Sequence, residues 1–266
     1  MDIKSLKYPI YIVSKGRWEN PITAKCFLNE RVPFKIAVEP QEYDQYCRAL
    51  GETNVLKLPF SNLGLGSYPA RNHCWDDSIK NGHKKHFLFD DNIYGFVRFN
   101  QGTRKKCDAA TALITLQEFS DRYTNLAVSG FNYRYFVDPS LNKPFFINTH
   151  VYSAMLIRND IKYKWRLKYN EDVDLCLQVL HGGLCTVLLN AFLVNKVSTT
   201  AKMKGGNQAE LYKNNDERKK MLKSKSLEQV WPQYVKVVER FGRPHHQVSW
   251  GKFFKQPLKR SVPVNG

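Results

Sequence analysis

The chain has 266 residues, with 41 Lys and Arg against 24 Asp and Glu, so its formal net charge is +17. Hydrophobic residues make up 42% of it, enough for a buried core. No apolar run approaches the roughly 20 residues that span a bilayer, and the N-terminus lacks the apolar stretch of a secretion signal. We therefore expect a cytoplasmic protein that does not span a membrane and that binds a polyanion.

Short apolar runs alternate with helical segments through the first 90 residues. Four buried strands are predicted, in "YPIYIVSKGR", "PFKIAVEP", "NVLKLP" and "KKHFLFDDN". Helices are predicted between them, the last from Tyr68 to Lys80. This alternation indicates an α/β fold with a mostly parallel sheet flanked by helices. In such sheets, ligands bind beyond the carboxyl ends of the strands.

The rest of the chain is less regular. Helices are predicted in "AATALITLQEFSDRY" and "NEDVDLCLQVLHGG", and hairpin strands in the aromatic segment 132–160 that lies between them. From Asp216 to Phe241 we predict helical segments, with Pro232 starting a new helix. The expected architecture is one globular unit: a core over residues 1–207 with a hairpin insertion, and a helical, basic and aromatic C-terminal extension over residues 208–266.

Two adjacent acids, Asp90 and Asp91, follow the apolar run of the fourth strand, and Asn92 comes next. Neighbouring carboxylates make each other harder to ionise. A divalent cation between them and a phosphate would relieve this repulsion, and Mg²⁺ and Mn²⁺ prefer such oxygen ligands. Asp and Asn also favour turns at strand ends. From these residues alone, a turn and a cation site are equally open.

Polar residues on two helices extend this pattern. "YPARNHCW" places Arg71 and Asn72 on the preceding helix, where they could contact a phosphate and a base or ribose. "NEDVDLCLQVL" places Glu171, Asp172 and Asp174 in one helical turn. The helix dipole favours acids there, but it accounts for one acid better than for three. One of these carboxylates could act as a general base.

Together, these motifs resemble the GT-A nucleotide-sugar glycosyltransferases, in which acids after a strand hold a metal on the donor's diphosphate and an "ED" helix faces the acceptor. More narrowly, the order "YPIYIVSKGR", "SYPARNHCW", "FLFDDNIYGF", "NEDVDLCLQVL" resembles the TET-associated glycosyltransferases. These are phage-type enzymes proposed to glycosylate hydroxymethylated pyrimidines in DNA. The similar segments lie between Tyr8 and Asn207. A phage enzyme would work in the host cytoplasm.

The resemblance implies Mn²⁺ or Mg²⁺ and a nucleoside diphosphate sugar, with a UDP-sugar expected. Asp91 would be the main metal ligand, beside Asp90 and Asn92. Asp172 would be the catalytic base if the reaction inverts the anomeric centre, with Glu171 next to it, and inversion and retention both stay open. The residues expected at the nucleotide sugar are Ser14, Lys15, Arg17, Arg71, Asn72, Asp90, Lys202, Lys204, Gly205 and Gly206. The segment "KMKGGN" that holds the last four is equally open to being a flexible basic loop.

Many GT-A enzymes add a metal-binding histidine after the last core strand, but "FLVNKVSTT" has none at this position. The third metal ligand therefore has no candidate. His150 is expected to be structural, and His245 and His246 are expected to lie in the tail.

The expected acceptor is 5-hydroxymethylcytosine or 5-hydroxymethyluracil in phage DNA, since phosphates attract Lys and Arg and exposed bases stack on aromatic rings. The DNA-contact candidates are Tyr133, Arg134, Tyr135, Trp250 and Lys252. Core packing is the alternative role for their aromatic rings. Three alternative functions stay open: a transferase with a protein or glycan acceptor, a nucleotidyltransferase, and a non-catalytic nucleic-acid-binding protein on this fold.

Overall fold

The structure is a computed structural model that describes residues 2–197, 205–206, 217–240 and 242–261, without the side chains of 217–220. Its strands are β1 Ile10–Val13, β2 Lys35–Val38, β3 Val55–Lys57, β4 Lys85–Asp90, β5 Ile93–Asn100, β6 Thr103–Cys107, β7 Leu126–Tyr133, β8 Phe145–Ile147, β9 Ala154–Arg158, β10 Cys185–Lys196, β11 Val235–Arg240 and β12 Arg243–Val248. Its α-helices are α1 Ile22–Asn29, α2 Tyr43–Leu50, α3 Tyr68–Lys80, α4 Ala109–Asp121, α5 Glu171–His181 and α6 Glu217–Val230.

Ten of the described strands form one sheet in the order β3-β2-β1-β4-β9-β7-β10-β5-β6, with β8 also paired to β10. Strands β1 to β4 pair in parallel, as do β7 and β10. Seven of the ten strands point the same way, since only β5, β8 and β9 are antiparallel to this direction. The predicted α/β fold with a mostly parallel sheet is confirmed.

Helices cover both faces of the sheet. On one face α1, α2 and α4 contribute Phe27, Tyr46 and Leu113 to a core cluster with strand residues. On the other face α3 and α5 contribute Trp75 and Cys176 to a second cluster. The strands between these layers are almost continuously apolar because both of their faces are buried. Within the described residues, no helix is long and apolar enough to cross a bilayer.

The sheet contains a β-hairpin, but it is not in the segment 132–160 where the sequence predicted one. Residues 132–160 do not form hairpin strands: β7 is central and fully buried, and β9 enters antiparallel between β4 and β7. The hairpin is β5–β6, whose two-residue turn at Gln101 and Gly102 has positive φ at both positions. Such turns match the twist of the strands, and the "NQGT" sequence carries a recognisable signal for one.

The C-terminal extension, which was predicted to be helical, contains a helix followed by two strands. After α6 the chain forms the β11–β12 hairpin, so the helix predicted after Pro232 is wrong. Proline removes a backbone donor, and the valines that follow favour strand geometry. Val173 and Leu177 of α5 share a core cluster with Leu227, Trp231 and Val235. The extension therefore packs against the core, while the proposed boundary at residue 207 stays a prediction.

Candidate active site

A pocket of about 390 Å³ opens at the carboxyl edge of the sheet, next to the first turn of α5. It forms there because β1, β4, β7 and β10 all end at this edge, with Val13 of β1 in register with Asp90 of β4. Eleven predicted site residues line it: Ser14, Lys15, Arg17, Arg71, Asp90, Asp91, Asn92, Tyr133, Glu171, Asp172 and Gly206. The fold thus brings together segments that lie far apart in the chain.

Asp90 is held by three donors that come from three different elements. Its Oδ1 accepts a hydrogen bond from Arg71 at 2.9 Å, and its Oδ2 accepts from Ser153 at 2.6 Å and from Lys196 at 2.9 Å. Burial raises the pKa of Asp90, but Lys196 and Arg71 outweigh it, so the pKa is lowered. Asp90 is therefore an ionised counter-ion that fixes two cations at the pocket wall.

Asp91 is buried beneath the loop that follows β1. It accepts hydrogen bonds from the Ser14 hydroxyl, at 2.6 Å, and from the Arg17 guanidinium. Burial raises the pKa of Asp91, and the opposing effect of Arg17 and Ser14 is smaller. The two neighbouring acids thus have separate sets of partners, which reduces the cost of placing them side by side.

Arg71 links the acid pair to α5. Its Nε donates to Ser67 at 3.0 Å and lies 3.5 Å from Glu171, while its guanidinium stacks over Trp165. Its NH1 is enclosed and has no hydrogen-bond partner among the described residues. Burial raises the pKa of Glu171, and the neighbouring Asp172 raises it further. Arg71 therefore keeps one donor available at the pocket wall.

Asp172 pairs with His150, which was expected to be structural. The two side chains approach to 3.0 Å between His150 Nε2 and Asp172 Oδ2. Burial raises the pKa of Asp172, but His150 outweighs it and lowers the pKa to about 2. The His150 ring stacks on Trp250 with 6.2 Å between centroids and 4° between planes. Asp172 is therefore an ionised carboxylate with a positioned imidazole beside it.

Asp174 faces away from the pocket and is fully buried. It accepts hydrogen bonds from Arg166, Gln178 and the indole nitrogen of Trp231. The contact with Trp231 connects α5 to the C-terminal extension. The three acids of this helical turn thus divide into two at the pocket and one structural anchor, a division that follows the 3.6-residue period of the helix.

The glycine pair 205–206 contacts the loop after β1. The amide of Gly206 donates to the carbonyl of Lys15 at 2.6 Å, and Gly206 lines the pocket. A Cβ on Gly205 would lie 2.2 Å from the carbonyl oxygen of Gly16, so the close approach requires glycine there. Lys202 and Lys204, which were also predicted at the nucleotide sugar, lie outside the described residues.

Residues 8–206 match the model of the TET-associated glycosyltransferase family, which covers most of the chain. The chain belongs to this family. It is therefore a glycosyltransferase, as its sequence motifs predicted. A solved nucleotide-diphospho-sugar transferase from Desulfovibrio desulfuricans G20 is similar in structure, with a TM-score of 0.40 and 10% identity over 79% of this chain and 95% of that one. No curated protein matches the sequence.

Four predicted residues of this TET-associated glycosyltransferase make contacts within the protein. Asn72 does not line the pocket: its side chain donates to the carbonyl of Trp165 and accepts from its amide. Tyr133 lines the pocket but is buried, with its hydroxyl hydrogen-bonded to Lys196 and Ser153, so its ring is not free to stack on a base. Trp250 packs on His150, and Lys252 donates to the carbonyl of Gln233. Motif spacing does not encode these contacts, and the DNA contacts of Trp250 and Lys252 stay predictions.

The pocket of the glycosyltransferase is also lined by residues that were not predicted there. These are His150, Ser153 and Lys196 of the core, and Lys223 and His246 of the C-terminal extension. His246 was expected to lie away from the core, yet it lines the pocket. Burial lowers the pKa of His246 to about 4, and His150 contributes. Only Lys196 has a sequence signal, because it ends the last core strand, where many GT-A enzymes carry a histidine. The others depend on long-range packing.

The side-chain oxygens of Asp91 and Asn92 suit a divalent cation at the pocket. Asp91 and Asn92 both line the pocket, and Asn92 Oδ1 is enclosed without a hydrogen-bond partner among the described residues. Mg²⁺ and Mn²⁺ commonly take one or two such protein oxygens, with phosphate and water as the remaining ligands. Asp90 is occupied by Arg71 and Lys196. In the part of the chain that is described, no group of three His, Cys, Asp or Glu residues could hold a metal.

Proposed function

We propose that this protein transfers a sugar from a nucleoside diphosphate sugar, a UDP-sugar in our expectation, to 5-hydroxymethylcytosine or 5-hydroxymethyluracil in phage DNA. The observation that carries the proposal is the single pocket that joins the acid pair and its cations to Asp172. A diphosphate needs positive charge, and a hydroxyl acceptor needs a base. This pocket offers both: cations lie at the strand ends, and Asp172 lies at the start of α5.

The donor's diphosphate would lie against the cationic wall. Arg71 has an enclosed NH1 without a described partner, and Gly206 brings backbone close to the β1 loop. We place the nucleobase beside the loop after β1, where Ser14, Lys15 and Arg17 line the pocket. Fixed cations of this kind stabilise the charge that develops on the leaving diphosphate.

Asp91 and Asn92 would hold Mn²⁺ or Mg²⁺, and the ion would supply further positive charge at the diphosphate. Arg17 hydrogen-bonds Asp91, so it must give way at one carboxylate oxygen for the ion to bind. We do not propose Asp90 as a ligand, because two cations, Arg71 and Lys196, already pair with it, whereas Asp91 pairs with Arg17. Its proposed role is to keep Arg71 and Lys196 in place.

Asp172 would act as the general base. The hydroxymethyl oxygen of the acceptor attacks the anomeric carbon, the bond from that carbon to the diphosphate oxygen breaks, and the hydroxyl proton passes to Asp172. His150 would position the carboxylate and keep it ionised, in agreement with the lowered pKa of Asp172. Glu171, whose pKa is raised and which binds Ser67, would serve as a positioning residue.

A DNA acceptor is supported by the net charge of +17 and by the family to which the chain belongs. The test is mass spectrometry of nucleosides after hydroxymethylated DNA has been incubated with a panel of UDP-sugars, with and without Mn²⁺. We expect a hexosyl mass increment on the hydroxymethylated base, which depends on Mn²⁺. Donor turnover with no new mass on any base would exclude the DNA acceptor and leave a protein or glycan acceptor.

A further inference from the structure

A second cavity of about 410 Å³ adjoins the catalytic pocket, and Lys196 lines both. Its other walls are Tyr94, Arg104, Arg134, Tyr135 and Asn195. Apart from Lys196, no residue of this cavity has a role in the proposed reaction. The cavity lies on the side of β10 where β5 pairs, beside the end of β7. It is therefore a separate cavity that meets the catalytic pocket at Lys196.

Two exposed aromatic rings line this cavity, and a third lies beside one of them. Tyr94 is 55% exposed and Tyr135 is 53% exposed, and Phe136, next to Tyr135, is 63% exposed. The centroids of Tyr135 and Phe136 are 4.6 Å apart, and both rings pack on Tyr133, at 5.2 and 5.3 Å. Tyr133 is fixed by the hydrogen bonds of its hydroxyl. The exposed rings thus rest on a rigid base, an arrangement that indicates a binding surface.

The charges around the rings are positive. Arg134 is exposed and has no ion pair among the described residues. Arg104 donates through NH2 to the carbonyl of Val137, while its Nε is enclosed without a partner in the described part of the chain. Arg104 also interacts with the charge of Asp138. An apolar protein surface would gain nothing from these guanidinium groups, whereas a phosphate would.

We propose that this cavity binds the nucleotide next to the target base of the acceptor strand. Its base stacks on Tyr135 and Phe136, and its phosphate lies near Arg134 and Arg104. Aromatic faces combined with cations are how proteins hold unpaired nucleotides. The inference rests on the proposed function, because it requires that the acceptor is DNA. It adds that the strand is unpaired at the neighbouring position as well as at the target, through local opening or because the substrate is single-stranded.

The test uses a single-stranded oligonucleotide with 5-hydroxymethylcytosine and with 2-aminopurine as the adjacent base. Anisotropy measures affinity, and quenching of 2-aminopurine reports stacking. For the double variant Tyr135→Ala/Phe136→Ala we expect about 5- to 150-fold weaker binding and loss of the quenching. Arg134→Ala should weaken binding and lower the salt slope by about 0.7. The matched control is Phe254→Ala, which removes a 66% exposed ring from the C-terminal extension.

Tyr135→Phe keeps the ring and should retain both affinity and quenching, while unchanged UDP affinity shows that each variant is folded. If DNA is glycosylated but the aromatic variants bind it as the wild type does, the subsite is overturned and the proposed function stands. If the wild type binds the oligonucleotide with Tyr135-dependent quenching but transfers no sugar to it, the subsite stands and the acceptor assignment fails. If the wild type does not bind DNA, both are overturned.

Discussion

Lys196 and Asp90 are joined by a hydrogen bond of 2.9 Å, although 106 residues separate them in the chain. The Lys196 side chain is only 7% exposed, and its ammonium also donates to Tyr133 and Ser153. Burial lowers the pKa of Lys196, but Asp90 outweighs it, so the pKa is raised. The pair connects the end of β10 to the end of β4 and therefore fixes the width of the catalytic pocket.

Replacing Lys196 by Met should destabilise the fold by about 3 kcal/mol, because it leaves a buried carboxylate without one of its two cations. Chemical denaturation measures the change. Lys162→Met, at an exposed lysine, is the control and should change stability by less than about 0.5 kcal/mol. The double variant Lys196→Met/Asp90→Asn should recover part of the loss. Equal stability of Lys196→Met and wild type would contradict the pairing.

Asp91→Asn should remove the part of UDP affinity that depends on Mn²⁺. The carboxylate is the charged donor of the proposed cation site, and an amide binds divalent ions more weakly. Titration calorimetry of UDP with and without Mn²⁺ measures this increment. Asp76→Asn changes an acid whose side chain is 65% exposed and serves as the control. An unchanged increment in Asp91→Asn would show that the ion binds elsewhere.

Asp172→Asn should lower kcat by about 10²- to 10⁴-fold and leave UDP affinity within about twofold, because it removes the proposed base without touching the diphosphate wall. His150→Gln should give a smaller loss, since the carboxylate remains but its position is less fixed. Steady-state kinetics and UDP calorimetry together separate the two effects. A His150→Gln variant with full kcat would remove His150 from the positioning role.

Asp174→Ala should lower stability and leave the catalytic rate nearly unchanged, in contrast to Asp172→Asn. Gln178 and Trp231 lose their acceptor in the interior, and Arg166 loses its ion pair, so we expect about 2 kcal/mol of destabilisation, seen as a lower denaturation midpoint. The rate per folded molecule should stay close to wild type because Asp174 does not line the pocket. A stable but inactive Asp174→Ala would mean that this acid belongs to the reaction.

Protonation of His86 and His246 should lower the free energy of unfolding as pH drops from about 6.5 to about 4. Burial lowers the pKa of His86 to about 4 and likewise that of His246, whereas an unfolded histidine titrates near 6.5. The unfolded state therefore binds more protons in this window, and stability is complete only above it. Each histidine contributes about 3 kcal/mol at most, since one pKa unit is worth about 1.4 kcal/mol.

Denaturation midpoints between pH 7.5 and 4.5 measure this slope, and His246→Gln should reduce it. Asp90 and Asp172 also have lowered pKa values, but their stabilisation is lost only below about pH 4, outside this window. A slope that is the same in His246→Gln and wild type would show that His246 is equally protonated in the folded and unfolded chain.

The sequence by itself determined the strands β1 to β4, the helices between them and the position of the acid pair at a strand end. These depend on local patterns: short apolar runs, helical spacing and the direction of consecutive strands. The same local information identified Arg71, Glu171 and Asp172. It failed after Pro232, where strand-forming valines also fit a helical face, because the choice between the two depends on what they pack against.

Only the tertiary structure decided which donors each acid receives. Asp90 and Asp91 are adjacent in the chain, but one faces Lys196 and Arg71 and the other faces Arg17. Whether a lysine at the end of β10 meets an acid at the end of β4 depends on the order of strands in the sheet. Strand order is set by the packing of helices on both faces, a sum of many weak long-range contacts that no single motif contains.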